Sequence, residues 1–313
     1  MTRYVVERVA WLLVSLLSVS VITFGLGVLA PGDPAEVVLE HRLNQPPPRE
    51  QVLAQRRLMG LDRPLTAQYL HWLAAASHGD LGHSWLKGLR VSTALGERIP
   101  RTAALAAAAA VLAVLIGLPA GILAAVRRGS IADHLCRVGA LLAASVPAYF
   151  AAYVLILMFA VRLHLLPAFG FGSASNLVLP AVTLALGPAA VLARLTRSTV
   201  LETLGEDYVR TARAKGAGTV AVLIGHALRN AMVPLLTVIG LLLGHLLGGS
   251  LVVEYVFAWP GMGDLAISAV HARDYPLIQG FVLFAGAVYV VVNFAVDLGY
   301  AWLDPRIRTG RRS

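Results

Sequence analysis

Apolar residues run along this chain in long unbroken stretches, without the alternation of a barrel strand. Six stretches stand out, at about 9–30, 103–126, 135–161, 177–193, 231–253 and 278–303. Each is close to or above the roughly 17–25 residues that an α-helix needs to cross the hydrocarbon of a bilayer. The pattern predicts an all-α polytopic membrane protein: six transmembrane helices in one domain over residues 1–313. The stretch at 177–193 is the shortest. Its Pro180 and Pro188 are expected to kink it and to place it inside the bundle, where neighbours satisfy the freed carbonyls. Arg3 and Arg8 flank the first stretch as they would in a secretory signal. At about 22 residues it is too long for a signal core, and no small-x-small site in it is followed by a polar mature start, so it is expected to be a retained span.

Between the first two stretches lies a polar segment, 31–102. Pro31-Gly32-Asp33-Pro34 opens it with a turn that stops the first span. Pro46-Pro47-Pro48 precedes a short predicted helix near 50–59, and a second helix is predicted at about 65–77. On that second helix Leu65, Tyr69, Trp72, Leu73 and Ala76 share one face. The face either packs on the ends of the spans or docks an outside partner. No repeat of 20–50 residues is visible.

Composition supports the membrane reading. Of 313 residues 58% are apolar or aromatic and only 14% are charged, against about 25% charged in a soluble chain. The net charge of +9 would suggest nucleic acid in a soluble protein. Here its placement matters more, and no nucleic-acid partner is expected. With the N-terminus inside, the short inner segments hold Arg3, Arg8, Arg127, Arg128, Arg194, Arg197, Arg210, Arg213, Lys215, Arg229, Arg306, Arg308, Arg311 and Arg312. The short outer loops hold only Arg162 and Arg273. The bias predicts cytoplasmic N- and C-termini. Cys136 is the single cysteine, which leaves no internal disulfide or cysteine metal cluster, and no metal site is expected.

The inner segment 194–230 is the one long cytoplasmic loop. Arg194-Leu-Thr-Arg197 leaves the fourth span; Glu202, Glu206 and Asp207 then precede a helix-forming run from Tyr208 to Lys215. Acids before and bases after suit the helix dipole, and Gly216 and Gly218 are helix stops. An amphipathic stretch from Val220 to Asn230 leads into the fifth span. Two short helices about a glycine break, tied to spans at both ends, would carry movement from a cytoplasmic partner into the membrane. A basic loop resting on lipid headgroups is the other reading of the same residues.

Several motifs point one way. Tyr208-Val-Arg-Thr-Ala-Arg-Ala-Lys-Gly216 is followed by His226-Ala-Leu-Arg-Asn230 and Pro234. Pro31-Gly-Asp-Pro34 follows the first span, and Gly79-Asp-Leu-Gly82 with Ser84 lies in the outer segment. Val253-Glu-Tyr-Val-Phe257 with Pro260-Gly-Met-Gly263 follows the fifth span, and Asp304-Pro-Arg-Ile-Arg308 closes the chain. In this order and over nearly the whole length, the chain resembles the dipeptide/oligopeptide/nickel branch of ABC-importer permeases, and the first of its two permease types. The general permease motif of Glu-Ala-Ala, three residues and Gly, set on Gly216, falls on Arg210, Thr211 and Ala212, of which only Ala212 matches.

The resemblance implies the ABC-importer permease fold in a bacterial cytoplasmic membrane. It implies four kinds of partner: a second homologous permease, two cytoplasmic ATPases, an extracytoplasmic substrate-binding protein, and membrane lipid. The cargo would be short peptides, with nickel, a metallophore or another small solute as alternatives. Tyr208, Arg210, Thr211, Ala212, Arg213, Lys215, Gly216, His226 and Asn230 would then form the ATPase-coupling loop. The sequence has no G-x-x-x-x-G-K-[ST] run, so ATP and Mg are expected on partner subunits and no cofactor on this chain. Neither H-E-x-x-H nor G-x-S-x-G occurs, and the adjacent His83 and Ser84 do not by themselves form a base–nucleophile pair, so no catalytic residue is assigned.

Within the spans, Gly240, Gly244 and Gly248 recur on one face of the fifth, where another backbone can approach. The neighbour is either in this chain or in the second permease. His245 beside them either lines the pathway or packs. Asp297, with Asn293 one turn earlier, is either a proton relay or a carboxylate solvated at the inner end. Glu254 and Asp264 fall at the outer edge, where an ionised group is cheap, and Tyr255, Phe257 and Trp259 suit an interfacial aromatic belt. A secondary transporter driven by an ion gradient is the rival class; it would call for paired intramembrane charges and inverted repeats.

Overall fold

A computed structural model describes residues 2–29, 32–43, 45–85, 88–216, 218, 225, 234–235, 238–242, 244, 246 and 250–303, and of residues 2–5, 41, 212–213 and 296–303 the backbone alone. The helices in chain order are α1 (Thr2–Val28), α2 (Pro34–Leu43), α3 (Arg49–Leu58), α4 (Leu65–Ser77), α5 (Val91–Val126), α6 (Ile131–Ser145), α7 (Ala148–Leu155), α8 (Ala174–Gly205), α9 (Asp207–Ala214), α10 (Leu251–Val256), α11 (Met262–His271) and α12 (Tyr275–Leu303). A π-helical turn, Ile156–Arg162, continues α7. Among the described residues there is no strand, only an isolated bridge between His83 and Arg90. The all-α expectation holds. Among the described residues four helices are long and apolar enough to cross a membrane, or five if the bent pair α6 and α7 is one span. The stretch 231–253 lies largely outside the described residues.

The chain divides into two units: Met1–Thr102 with Pro260–Val291, and Ala103–Trp259 with Val292–Ser313. In the first unit α4 turns its aromatic face onto α1. Tyr69 Oη lies 2.8 Å from Ser20 Oγ, and the Phe24 ring meets Tyr69 edge-on at 5.4 Å and Trp72 at 5.9 Å. Of the two readings of that face, packing on a span is the one realised. The opposite side of α1, with Trp11, Ile22 and Leu26, is exposed, as a lipid-facing surface would be.

The second unit is built on α8. This helix continues through Pro180 and Pro188 and buries both a proline and its apolar neighbours Leu179, Ala181, Ala185, Ala189 and Leu192. The expected interior placement holds; the prolines are accommodated without ending the helix. α8 also runs well beyond the apolar stretch, so residues 194–205, read from sequence as loop, are its last three turns. Nothing there breaks a helix: Arg194 to Glu202 contains neither Gly nor Pro, and Thr199 and Thr203 return their hydroxyls to the carbonyls of Leu195 and Thr199. Leu105, Ala109, Ala113, Gly117 and Gly121 of α5 recur every four residues, and the described three that carry side chains are buried. A Cβ added at Gly117 would stand 2.7 Å from the Ala189 carbonyl oxygen, and one at Gly121 would stand 2.5 Å from that of Ala193. The two backbones therefore touch where glycine leaves room.

The stretch 135–161 is bent by 107° between α6 and α7. The cause is local: Pro147 excludes the helical region for Val146, which sits at φ −80° and ψ 123°.

Candidate functional site

Two polar assemblies stand out, one in each unit. In the first unit, residues 79–85 and 88–90 belong to a glycine-punctuated segment. Gly79, Gly82 and Gly88 all have positive φ, and Asp80 Oδ1 accepts from the Gly82 N–H at 3.0 Å. Ser84 donates its hydroxyl to Asp274 Oδ2 at 2.5 Å, and the Trp85 N–H reaches Asp274 Oδ1 at 3.3 Å. Asp274 is 1% exposed. The Trp85 ring meets Tyr275 edge-on at 5.6 Å. One helical stretch further, Arg98 pairs with Asp264 at 3.0 Å, Arg101 donates to the Pro260 carbonyl, and the Met262 N–H donates to Thr102 Oγ1 at 2.8 Å. The Gly79–Ser84 motif is thus bonded to Asp274 and the Pro260–Gly263 motif to Arg101 and Thr102, and Leu81 and Met262 of the two share one apolar cluster, so both belong to one clasp. Asp33 of the first motif caps α2 through the Ala35 N–H and pairs with Arg56 at 2.6 Å, which raises the guanidinium's already high pKa.

In the second unit the site is the helix after α8. α8 ends at Gly205; Glu206 is extended at ψ 148°, and the chain restarts as α9. The Glu206 carbonyl accepts from the N–H groups of Val209 and Arg210, and Thr211 returns its hydroxyl to the Asp207 carbonyl. Val209 is fully buried and holds the helix down. Tyr208 is 41% exposed, and Arg210, Thr211, Lys215 and Gly216 are exposed. The Arg210–Asp207 pair is loose, at 3.4 Å between side chains in solvent. Gly216 has φ +88°, the left-handed stop expected of a residue just past a helix end. Ala212 and Arg213 are helical in backbone; their side chains, together with His226 and Asn230, lie outside the described residues. So does the second amphipathic stretch, apart from isolated positions.

Two turns before the end of α8, Arg197 grips Asp133 at the start of α6 with a two-pronged bond, Nε–Oδ1 2.7 Å and Nη2–Oδ2 2.9 Å. Asp133 also accepts from the Gly129 N–H, and Ser130 caps α6 by accepting the Asp133 N–H. Sequence reading had passed over this pair, which joins residues 64 apart with no local pattern to announce it. It had also passed over Gly117-Leu-Pro-Ala-Gly121, although the same four-residue spacing was noticed in the fifth span.

Other expectations fare unevenly. A Cβ on Gly244 would meet Val292 Cγ1 at 3.0 Å, so this glycine faces α12 of the same chain. Gly248 and His245 lie outside the described residues, as does the side chain of Asp297. Glu254 is not at a wet edge: it is fully buried in α10, accepting from the Ser250 hydroxyl at 2.8 Å. Phe257 and Trp259 are buried too, Trp259 edge-on to Phe171 at 4.9 Å, which leaves only Tyr255 exposed as a belt residue. The chain folds back after α10, and tertiary packing covers what a linear reading placed at the interface. Among the described residues no group of histidine, cysteine and carboxylate side chains is arranged to hold a metal.

Long apolar helices, among them a buried and polar-ended α8, define a multi-pass membrane protein of permease type. Residues 117–309 match the family described as the binding-protein-dependent transport system inner membrane component, and residues 1–106 match its N-terminal region. The chain belongs to that family, the permeases of ABC importers. A candidate peptide permease of Brucella suis is 43% identical over 98% of this chain and 99% of its own length. The dipeptide transport system permease protein DppB of Escherichia coli K12 is 37% identical over the same shares. The glutathione transport system permease protein GsiC of that strain is 41% identical, again over 98% and 99%. Among solved structures, the inward-facing MetNI methionine ABC transporter covers 67% of this chain and 96% of its own, with 23% identity and a TM-score of 0.57, and shares the fold. Family membership sets the chain among binding-protein-dependent transporters of the inner membrane and against the ion-gradient rival.

Proposed function

We propose that this chain forms half of the translocation path of an ATP-driven importer for short peptides and that α9 is where the ATPase engages it. Its partners would be a second homologous permease, two cytoplasmic ATPases that bind ATP and Mg, and an extracytoplasmic binding protein that delivers the cargo. Both termini would be cytoplasmic, as the basic residues of the short loops favour. The whole chain would act as one transmembrane domain, with 194–230 as its coupling segment. ATP binding and hydrolysis on the partners would switch the path between inward and outward openings.

The observation that carries the coupling role is the build of α9. It is short, holds to its unit by the buried Val209, turns Arg210 and Lys215 outward, and is stopped by the left-handed Gly216. It continues the most buried of the apolar helices after a single extended residue. A push on α9 is thereby a push on the end of a span. Peptide cargo is supported by the relatives, whose names specify peptide, dipeptide and glutathione transport.

The test is assembly and transport together. The tagged chain, expressed with its genomic neighbours, should co-purify with two ATPase subunits and a second permease. Proteoliposomes of that complex should take up a labelled dipeptide only with ATP inside the cytoplasmic compartment and the binding protein outside. Uptake driven by an ion gradient without ATP would refute the reading.

A further inference from the structure

We propose that the second unit carries a binding site for the phosphate headgroup of an anionic phospholipid, in the cleft between the start of α6 and the last turns of α8. The cleft is a cavity of about 400 Å³ lined by His134, Arg137, Val138, Leu141, Arg194 and Arg197. Three guanidinium groups, those of Arg137, Arg194 and Arg197, line it. Asp133 spends both oxygens on Arg197 and lies under the electrostatic influence of Arg137 as well. Arg194 and Arg137 are exposed, and among the described residues no carboxylate lines the cleft, which keeps an excess of positive charge.

The placement says what covers it. Arg137 lies just inside the apolar stretch that begins at 135, and Arg194 just past the one that ends at 193. α6 enters the apolar region where α8 leaves it, so both cations stand at the level where hydrocarbon gives way to headgroups. A guanidinium at that depth is costly unless an anion meets it, and phosphate takes it in two-pronged fashion. The same face of α6 continues as Val138, Leu141 and Leu142, each at least half exposed, a track for acyl chains directly beyond the cations. Charge at the mouth and an apolar groove behind it are the two halves of a phospholipid. A soluble phosphate uses only the first half, and an acidic protein surface has no use for the second. The Arg197–Asp133 fork fixes the distance between the helices and so holds the cleft open.

Cleft and coupling helix share α8: Arg197 is ten residues before Asp207. A lipid wedged against Arg194 would steady the helix end that α9 continues. The site itself rests on the membrane placement of α6 and α8 alone and is independent of cargo and of ATPase docking.

The experiment is native mass spectrometry of the assembled importer, extracted from vesicles of phosphatidylcholine with a graded fraction of phosphatidylglycerol. Wild type should retain phosphatidylglycerol through delipidation. Arg137→Gln with Arg194→Gln should raise the fraction needed for half-occupancy by at least about tenfold, since each cation near an anionic surface contributes appreciably. Arg127→Gln with Arg128→Gln removes the same charge from the neighbouring turn and should change it less than about twofold. Equal losses in the two pairs would mean diffuse attraction and overturn the site. Displacement of the lipid by excess inorganic phosphate would make it a small-anion site instead. Loss of ATPase subunits from the Arg137/Arg194 variant with lipid retention unchanged would assign the cleft to the ATPase. If that variant does not assemble, wild type with a phosphatidylglycerol carrying a photoreactive acyl chain decides: crosslinks on the Val138–Leu142 peptide support the site, and crosslinks elsewhere sink it.

Discussion

The clasp of the first unit and α9 of the second are both polar, both at helix ends, and built on opposite principles. The clasp joins segments far apart in sequence through oriented bonds, buried from Ser84 to Asp274 and from the Met262 N–H to Thr102, and partly buried from the Trp85 N–H to Asp274 and from Arg98 to Asp264. α9 makes its described polar bonds to residues three or four positions away, and its one described ion pair stands in solvent. Val209 is buried and anchors it, and the chain links it directly to α8. The first arrangement resists displacement, because moving either side strands buried polar groups. The second can shift as a body without breaking anything inside itself. On the proposed function, a firmly bonded first unit and a helix that can shift as a body would suit an importer driven from the cytoplasm. The contrast predicts that substitutions in the packed scaffold cost stability first, and substitutions in α9 cost transport first.

The largest loss of stability is expected where α5 and α8 touch backbone to backbone, the support on which α9 is mounted. Gly121→Leu would place a side chain 2.5 Å from the Ala193 carbonyl oxygen and 2.6 Å from Thr196 Cβ. Backbone cannot step aside as a side chain can, so the cost should lie at the upper end of overpacking, about 3 kcal/mol or more. Gly244→Leu meets the Val292 side chain instead, at 3.0 Å, and should cost about 1–2 kcal/mol. Thermal melts of the purified complex in detergent would rank the two. Equal melting points would mean that α5 and α8 do not pack as described.

Next comes the clasp. Asp274→Ala removes the acceptor of the Ser84 hydroxyl and the Trp85 N–H from a site that is 1% exposed. The expected cost is about 1–3 kcal/mol, the penalty of leaving buried polar groups short of partners. Uptake per folded complex should stay within about twofold, because the clasp is scaffold. A variant with normal melting but abolished uptake would make the outer loop a working part and erase the contrast.

Gly216→Val inverts that pattern. At φ +88° a β-branched residue is strained by about 1–2 kcal/mol, and the strain falls at the end of an eight-residue helix that contributes little to global stability. The chain should insert and melt nearly as wild type, while ATP-driven uptake falls below detection as the segment after α9 is re-aimed. Normal uptake at normal expression would show that α9 is not the coupling element.

How much of this was visible in the sequence depends on the range of the interaction. α3, the aromatic face of α4 and the Gly216 stop follow from spacing and local backbone chemistry, and each could be read directly. The bend before α7 was equally local, written in Val146-Pro147, yet it was hidden by an apolar run that reads as one span. The Asp133–Arg197 fork, the Ser84–Asp274 bond and the burial of Glu254, Phe257 and Trp259 depend on which distant segments meet. No periodicity encodes that. The polar tail of α8 was misplaced for a third reason: hydropathy marks where a span leaves the hydrocarbon, while helix continues for as long as the backbone allows.

The smallest effect, and the finest test of the contrast, is charge on α9. Arg210→Ala removes a 3.4 Å pair whose side chains are 76% and 94% exposed. Such pairs contribute about 0–1 kcal/mol, so the melting point should not move measurably. Lys215→Ala, one turn on and likewise exposed, should also be silent in stability. Coupling is a separate matter. If these cations meet an acidic groove on the ATPase, removing one weakens docking by about the same 0–1 kcal/mol, and the ATPase concentration for half-maximal stimulation rises by up to about fivefold. The shift should shrink as salt is raised, because the contact is exposed and screened within about 8 Å at physiological ionic strength. A salt-independent loss would point to packing around Tyr208 and Val209 as what the ATPase recognises. No shift in either variant would move the ATPase contact off the charged face of α9 altogether.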